Sequence, residues 1–126
     1  MLQSVYQAQL LDHYRNPRNK GLLPDANFAT DEFNPSCGDR VTLSGIVIDG
    51  TVDKLGFEGA GCVISQATAS ILCEYALGKS CSDLMAINAD VIQKLIGVPL
   101  GPVRLKCALL PLEALQKGIS TFLPQK

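Results

Sequence analysis

With 126 residues, 47% of them apolar, the chain has the size of a single domain over 1–126 and enough apolar surface for its own core, since chains of this length hide roughly two-thirds of their unfolded surface. Eleven basic residues face twelve acidic ones, and the basic side chains gather only thinly, at Arg15/Arg18/Lys20 and Arg104/Lys106, which excludes a groove-tracking nucleic-acid surface. No apolar run reaches the roughly 18 residues of a membrane helix. The segment Met1–Tyr6 lacks the basic and apolar regions of a secretory signal, so the expected setting is a reducing cytoplasm.

In chain order, residues 2–15 read as an amphipathic helix, with Leu2, Tyr6, Leu10 and Tyr14 at four-residue steps. Asn16-Pro17 ends it, because a residue before proline is pushed out of the helical region. The Gly-, Pro-, Asp- and Asn-bearing stretch from Arg18 to about Phe33 reads as loop. Val41–Ile48 and Thr51–Phe57 are β-branched runs joined by Asp49-Gly50, a strong two-residue hairpin signal. The slip in alternation at Gly45 suggests a bulge.

Val63-Ile64 is expected to add a short third strand before a helix capped by Ser65, with Thr68, Ile71, Leu72 and Tyr75 on one face and a stop at Gly78. A second helical pattern runs from Ser82 to about Ile96, interrupted near Asn88. Pro111 is best placed in a first turn, which starts the last helix near Ala108. Leu109, Leu112, Leu115 and Ile119 then form its buried stripe, with Glu113 and Lys117 paired on its surface. Strands followed by helices indicate an α+β domain.

Five cysteines in a reducing compartment read as metal ligands, reactive thiols or small core residues rather than a disulfide framework. Three come from stretches with the character of loops or element ends: Asn34-Pro35-Ser36-Cys37-Gly38-Asp39, Gly59-Ala60-Gly61-Cys62 and Arg104-Leu105-Lys106-Cys107. A glycine between Cys37 and Asp39 allows a positive φ, so thiolate and carboxylate can converge on one ion. The same fragment is compatible with a turn cap at Asp39 and a small buried Cys37.

Gly59 and Gly61 permit close backbone approach before Cys62, which read alone is a strand-end core cysteine. Cys107, just before the inferred last helix, would meet free N–H groups and the helix dipole; its apolar neighbours also fit plain packing. The spacings match no zinc finger or ribbon but allow a site assembled from distant segments. Arg40, Arg104 and Lys106 stand beside the ligands in sequence, where they could offset excess negative charge. Cys73 and Cys81 read as spectators, and His13 as a packed or surface helix residue.

At these residues the chain resembles the U-type iron–sulfur cluster assembly proteins, the IscU/SufU/NifU N-terminal family. The likeness is carried by Tyr14-Arg15-Asn16-Pro17-Arg18-Asn19, Asn34–Asp39, Gly59–Ser65 and Lys106-Cys107, four fragments in order with three cysteines in register. It implies a three-stranded antiparallel sheet packed against about five helices, with a metal or cluster site at one exposed end. The implied ligands are Cys37, Asp39, Cys62 and Cys107, and the implied cargo is zinc, iron or a [2Fe–2S] cluster.

The implied partners are a cysteine desulfurase, which supplies persulfide sulfur to Cys37 or Cys107, and iron–sulfur client or carrier proteins. Such a protein is a scaffold or sulfur acceptor rather than a turnover enzyme, or else a zinc-dependent sulfurtransferase. IscU-like members carry histidine where this chain has Lys106, and Leu-Pro-Pro-Val-Lys where it has Leu100-Gly101-Pro102-Val103-Arg104, so the likeness does not extend to chaperone recognition. Lys106, Arg104 and Arg40 resemble SufU members, whereas the short gap between Cys62 and Cys107 resembles IscU.

Overall fold

A computed structural model describes residues 2–36 and 38–123. Helix α1 (Leu2–Arg15) precedes three strands, β1 (Phe28–Asn34), β2 (Asp39–Ile48) and β3 (Thr51–Ala60). Four helices follow: α2 (Val63–Ala76), α3 (Cys81–Met85), α4 (Ala89–Ile96) and α5 (Pro102–Ile119), the last ending in a 3₁₀ turn. The strands form one antiparallel sheet in the order β1-β2-β3. This is the expected α+β architecture, with the expected sheet and five helices.

The third strand, however, is β1 and not Val63-Ile64, which open α2. β1 lay hidden because its sequence, Phe-Ala-Thr-Asp-Glu-Phe-Asn, is rich in residues of low strand preference; α5 supplies the burial that propensity does not. Thr30 Oγ1 donates to the Ala114 carbonyl at 2.6 Å, and a Cβ on Gly118 would stand 2.7 Å from Phe28 Cε2. Asn27 extends the pairing with its side chain, donating to the Val47 carbonyl at 2.8 Å and accepting from the Val47 amide at 2.9 Å.

That amide clamp sits beside the register irregularity between Ile46 and Val47, one residue past the expected slip. Gly45 instead makes room for the Phe28 ring, 2.6 Å from where its Cβ would be. The Asp49-Gly50 hairpin has positive φ at both positions, 51° and 75°, as a type I′ turn requires. On the outer edge of β3, the Gly21 amide donates to the Phe57 carbonyl and the Phe57 amide to the Asn19 carbonyl, so that edge is covered.

The sheet face carrying Leu43, Val47, Leu55 and Phe57 shares one core with Leu72, Leu112 and Leu115 from the helices. α2 is buried nearly all round, from Ser65 to Cys73 apart from Gln66, because it packs against α1, α5 and the sheet together. The expected single apolar face of α2 was therefore too narrow. Ser80 and Asn88 cap α3 and α4, each side chain accepting an amide three residues on, which explains the interruption near Asn88.

α5 begins six residues earlier than expected. Pro102, following the N-cap Gly101, is the proline of the first turn, and Pro111 lies inside the helix, where it offers no N–H to the carbonyl of Cys107 four residues back. The expected Glu113–Lys117 pair is replaced by a Lys117–Glu32 contact of 3.3 Å, tying α5 to β1. Among the described residues no helix is long and apolar enough to cross a membrane.

Candidate metal centre

Asp39 is the first residue of β2 and is only 1% exposed. The register that pairs Arg40 with Ala60 brings the end of β3 alongside it, and the chain then turns through Gly61 into α2. Cys62 is the N-cap of that helix, in extended conformation, and is exposed. Cys107 sits in the second turn of α5, 3% exposed. One ligand atom from each of Asp39, Cys62 and Cys107 lies within 4.8 Å of the others.

Hydrogen bonds fix the carboxylate. Asp39 Oδ1 accepts the Cys62 backbone N–H at 2.8 Å, and the Cys62 thiol donates to Oδ2 at 3.0 Å. The Ser65 hydroxyl donates to the Cys62 carbonyl at 3.3 Å, and its oxygen lies 3.9 Å from the Cys62 sulfur. Ser65 is thus a helix residue that braces Cys62, not the cap expected of it. A carboxylate this deeply buried is costly unless it is hydrogen-bonded or coordinates a metal. Two sulfurs and one carboxylate oxygen converging in this way fit a thiophilic ion such as zinc or iron.

Cys37 lies outside the described residues. Its neighbours form the connection between β1 and β2, with Asn34 and Asp39 as the closing pair. Gly38 has a φ of 76°, the positive value expected of a glycine there, and its amide donates to the Asn34 carbonyl at 2.8 Å. Asn34 Oδ1 accepts the Ser36 amide at 3.0 Å.

The helix start adjoining a predicted ligand is that of α2 at Cys62; Cys107 lies past the first turn of α5, away from the free N–H groups expected beside it. Arg40 turns away from the centre: it forms a two-bond ion pair with Asp31 and holds that carboxyl below its usual value. Arg104 and Lys106 are exposed, and Lys106 lines a cleft with Asn34, Ser36, Pro102 and Val103. A second cleft of about 390 Å³, bordered by Tyr14, Lys20, Gly59, Gly61 and Gln66, opens beside the turn into α2.

The spectator cysteines stay apart. Cys73 is wholly buried mid-helix, and burial pushes its thiol up to about 12. Cys81, expected in a connector, is instead the buried first residue of α3, and burial raises its thiol as well. His13 is buried between α1 and α2. Its Nδ1 lies 2.8 Å from Ser70 Oγ, which also accepts the Arg18 amide at 2.8 Å, and its Nε2 stands 3.9 Å from Glu74. What the sequence left unread was the direct contact between Gly61 and Asp39, signalled only by the Gly-x-Gly-Cys spacing.

Fold and donor group define a class: small α+β proteins that gather cysteine sulfurs and one carboxylate at the end of a three-stranded sheet. Residues 5–126 match the family model described as the NifU-like N terminal domain, and the chain belongs to that family. It is 39% identical, over 137 aligned positions, to the zinc-dependent sulfurtransferase SufU of Bacillus subtilis, covering 94% of this chain and 92% of that one. To the iron–sulfur cluster assembly scaffold protein IscU 1 of Archaeoglobus fulgidus it is 32% identical, covering 94% and 76%. A crystal structure from Fervidobacterium islandicum, described as a candidate iron–sulfur cluster assembly scaffold for the SUF system, superposes with a TM-score of 0.76 at 27% identity, covering 93% of this chain and 98% of the other.

Proposed function

We propose that this chain is an iron–sulfur cluster assembly scaffold. In this reading it takes persulfide sulfur from a cysteine desulfurase and holds a [2Fe–2S] cluster, or a zinc ion, on Cys37, Asp39, Cys62 and Cys107 until a client or carrier protein receives it. The observation that carries the reading is the convergence of Asp39, Cys62 and Cys107 donor atoms, from three distant segments, to within 4.8 Å. Cys37, two residues before Asp39, supplies the fourth donor by its place in the chain. Bound zinc or iron would keep the sulfurs as thiolates.

For sulfur transfer, a cysteine thiolate of this chain attacks the outer sulfur of the desulfurase persulfide. A new S–S bond forms on the acceptor, the partner's S–S bond breaks, and the partner's cysteine leaves as thiolate, with no net oxidation. Burial of Cys107 at 3% exposure, against exposed residues on both sides of Cys37, favours Cys37 as first acceptor. Asp39, a hard ligand among soft sulfurs, leaves one coordination position labile, which suits a cargo that is given away.

A second reading, a zinc-dependent sulfur acceptor that builds no cluster, is favoured by the 39% identity to the Bacillus sulfurtransferase and by lysine at position 106. One experiment separates the two. The chain is purified anaerobically and its zinc and iron measured, and it is then supplied with desulfurase, cysteine and ferrous iron while visible absorption is recorded. A scaffold develops cluster absorption, whereas a zinc-bound acceptor raises desulfurase turnover without iron. Serine at Cys37, Cys62 or Cys107 is expected to abolish metal or cluster acquisition, and retention by all three variants would end the assignment.

A further inference from the structure

The Asp39 carboxylate is not a freely rotating ligand. One of its oxygens, Oδ1, is engaged by the Cys62 backbone N–H at 2.8 Å, while Oδ2 faces the Cys62 sulfur at 3.0 Å. The approach depends on Gly61. That residue has a φ of 130°, and a Cβ there would stand 2.6 Å from the Asp39 carboxyl carbon and 2.9 Å from its Cα. Real Cβ contacts do not reach such distances, so the carboxylate, the turn or both would have to move. Across the site, Asp39 is buried to 1% exposure and has little room to retreat.

The geometry points to Gly61 and the Cys62 backbone amide as the devices that make Asp39 a one-oxygen ligand, with Oδ2 turned to the metal and Oδ1 withheld from it. This rests on the assignment of Asp39, Cys62 and Cys107 as donors and specifies how one of them is presented. Withholding one oxygen limits the carboxylate to a single bond. With one bond each, Asp39, Cys62 and Cys107 then supply three of the four donors of a tetrahedral zinc or iron centre, and no second carboxylate oxygen competes for the remaining position. Gly61 packs against the Asp39 carboxylate without itself offering a donor, and is a positioning residue, comparable to the outer-shell groups that orient metal ligands.

The probe is Co²⁺, whose visible d–d bands report coordination number and whose sulfur charge-transfer band reports thiolate ligation, added to the 126-residue chain and competed with Zn²⁺. Wild type is expected to give a four-coordinate spectrum. Gly61→Ala is expected to keep thiolate charge transfer, lose the wild-type d–d pattern and weaken Co²⁺ binding about 10- to 100-fold, the usual cost of losing an outer-shell partner. In the Asp39→Ala background the same glycine change is expected to add little further weakening, because the group it positions is gone.

Asp39→Asn is a second test that leaves the Gly61 turn unaltered. If the amide of Cys62 fixes the side chain, the carbonyl oxygen of the asparagine stays on that N–H and its NH₂ group faces the metal, so the spectrum matches that of Asp39→Ala. A Co²⁺ spectrum of Asp39→Asn that retains the oxygen donor, or a Gly61→Ala spectrum and affinity equal to wild type, overturns the proposal while the donor assignment stands. Absence of thiolate charge transfer in the wild-type chain overturns the donor assignment and this proposal together.

Discussion

Cys62 and Cys107 on one side, Cys73 and Cys81 on the other, are the same residue in two different chemical settings. The first pair approaches a carboxylate at the open end of the sheet; the second is enclosed in the apolar core. Burial does not separate the pairs, since Cys107 is nearly as enclosed as Cys81, at 3% and 1% exposure. Company does. Cys107 shares its surroundings with Asp39 and Cys62, whereas burial alone governs the raised thiol of Cys73. A cysteine reaches the candidate metal centre through the elements that converge on it, not through exposure.

The largest expected effect tests that contrast. A thiol pushed up to about 12 is thiolate in only about one molecule in 10⁴ at pH 8, and Cys73 is sterically enclosed as well. Native alkylation followed by peptide mass spectrometry should therefore label Cys62 and leave Cys73 unmodified until denaturant is added. Zinc should protect Cys62 and Cys107 but not change the labelling of Cys73. Native labelling of Cys73 at the rate of Cys62 would erase the distinction.

Next in size is a change in the core that leaves the donor end untouched. Gly118→Ala places a methyl group 2.7 Å from Phe28 Cε2, and overpacking of this kind costs about 1–3 kcal/mol. Denaturant unfolding should show that loss, while zinc affinity measured on the folded protein stays unchanged. A parallel fall in zinc affinity would mean that core and donor end are coupled.

The smallest effect is pH-dependent. Desolvation, with Arg18 contributing, lowers the His13 pKa from its ordinary 6.5, against the opposing pull of Glu74 and Asp12. His13 is therefore held neutral in the fold and takes up a proton more readily when unfolded. Its contribution to stability is complete above about pH 6.5 and is lost as pH falls through the lowered folded-state value. Thermal unfolding of zinc-free protein between pH 7.5 and 5.5 should fall less steeply for His13→Gln than for wild type, and identical slopes would remove His13 as a source of acid sensitivity.

Local chemistry made much of this molecule legible. Alternating apolar residues and Asp49-Gly50 specified the β2–β3 hairpin, Asn16-Pro17 ended α1, and the glycine before Asp39 anticipated its positive φ. β1 was illegible because its residues prefer strands only weakly; the packing of α5 and the Asn27 clamp on Val47 reinforce its ladder with β2. The start of α5 was misread because Pro111 was assigned the first-turn role that Pro102 fills. A buried interior proline is tolerated at 111 because tertiary packing outweighs the lost hydrogen bond.

By itself the sequence determined which residue types were available for metal chemistry, the punctuation that divides helices from strands, and the motif set that marks the family. The tertiary structure decided which cysteines meet. Asp39, Cys62 and Cys107 are separated by 23 and 45 positions along the chain, distances at which no local preference can enforce a contact. Strand register, the helix turn at Gly61 and the crossing of α5 close those long loops together, and apolar burial in the core supplies the free energy that offsets the entropy of closing them.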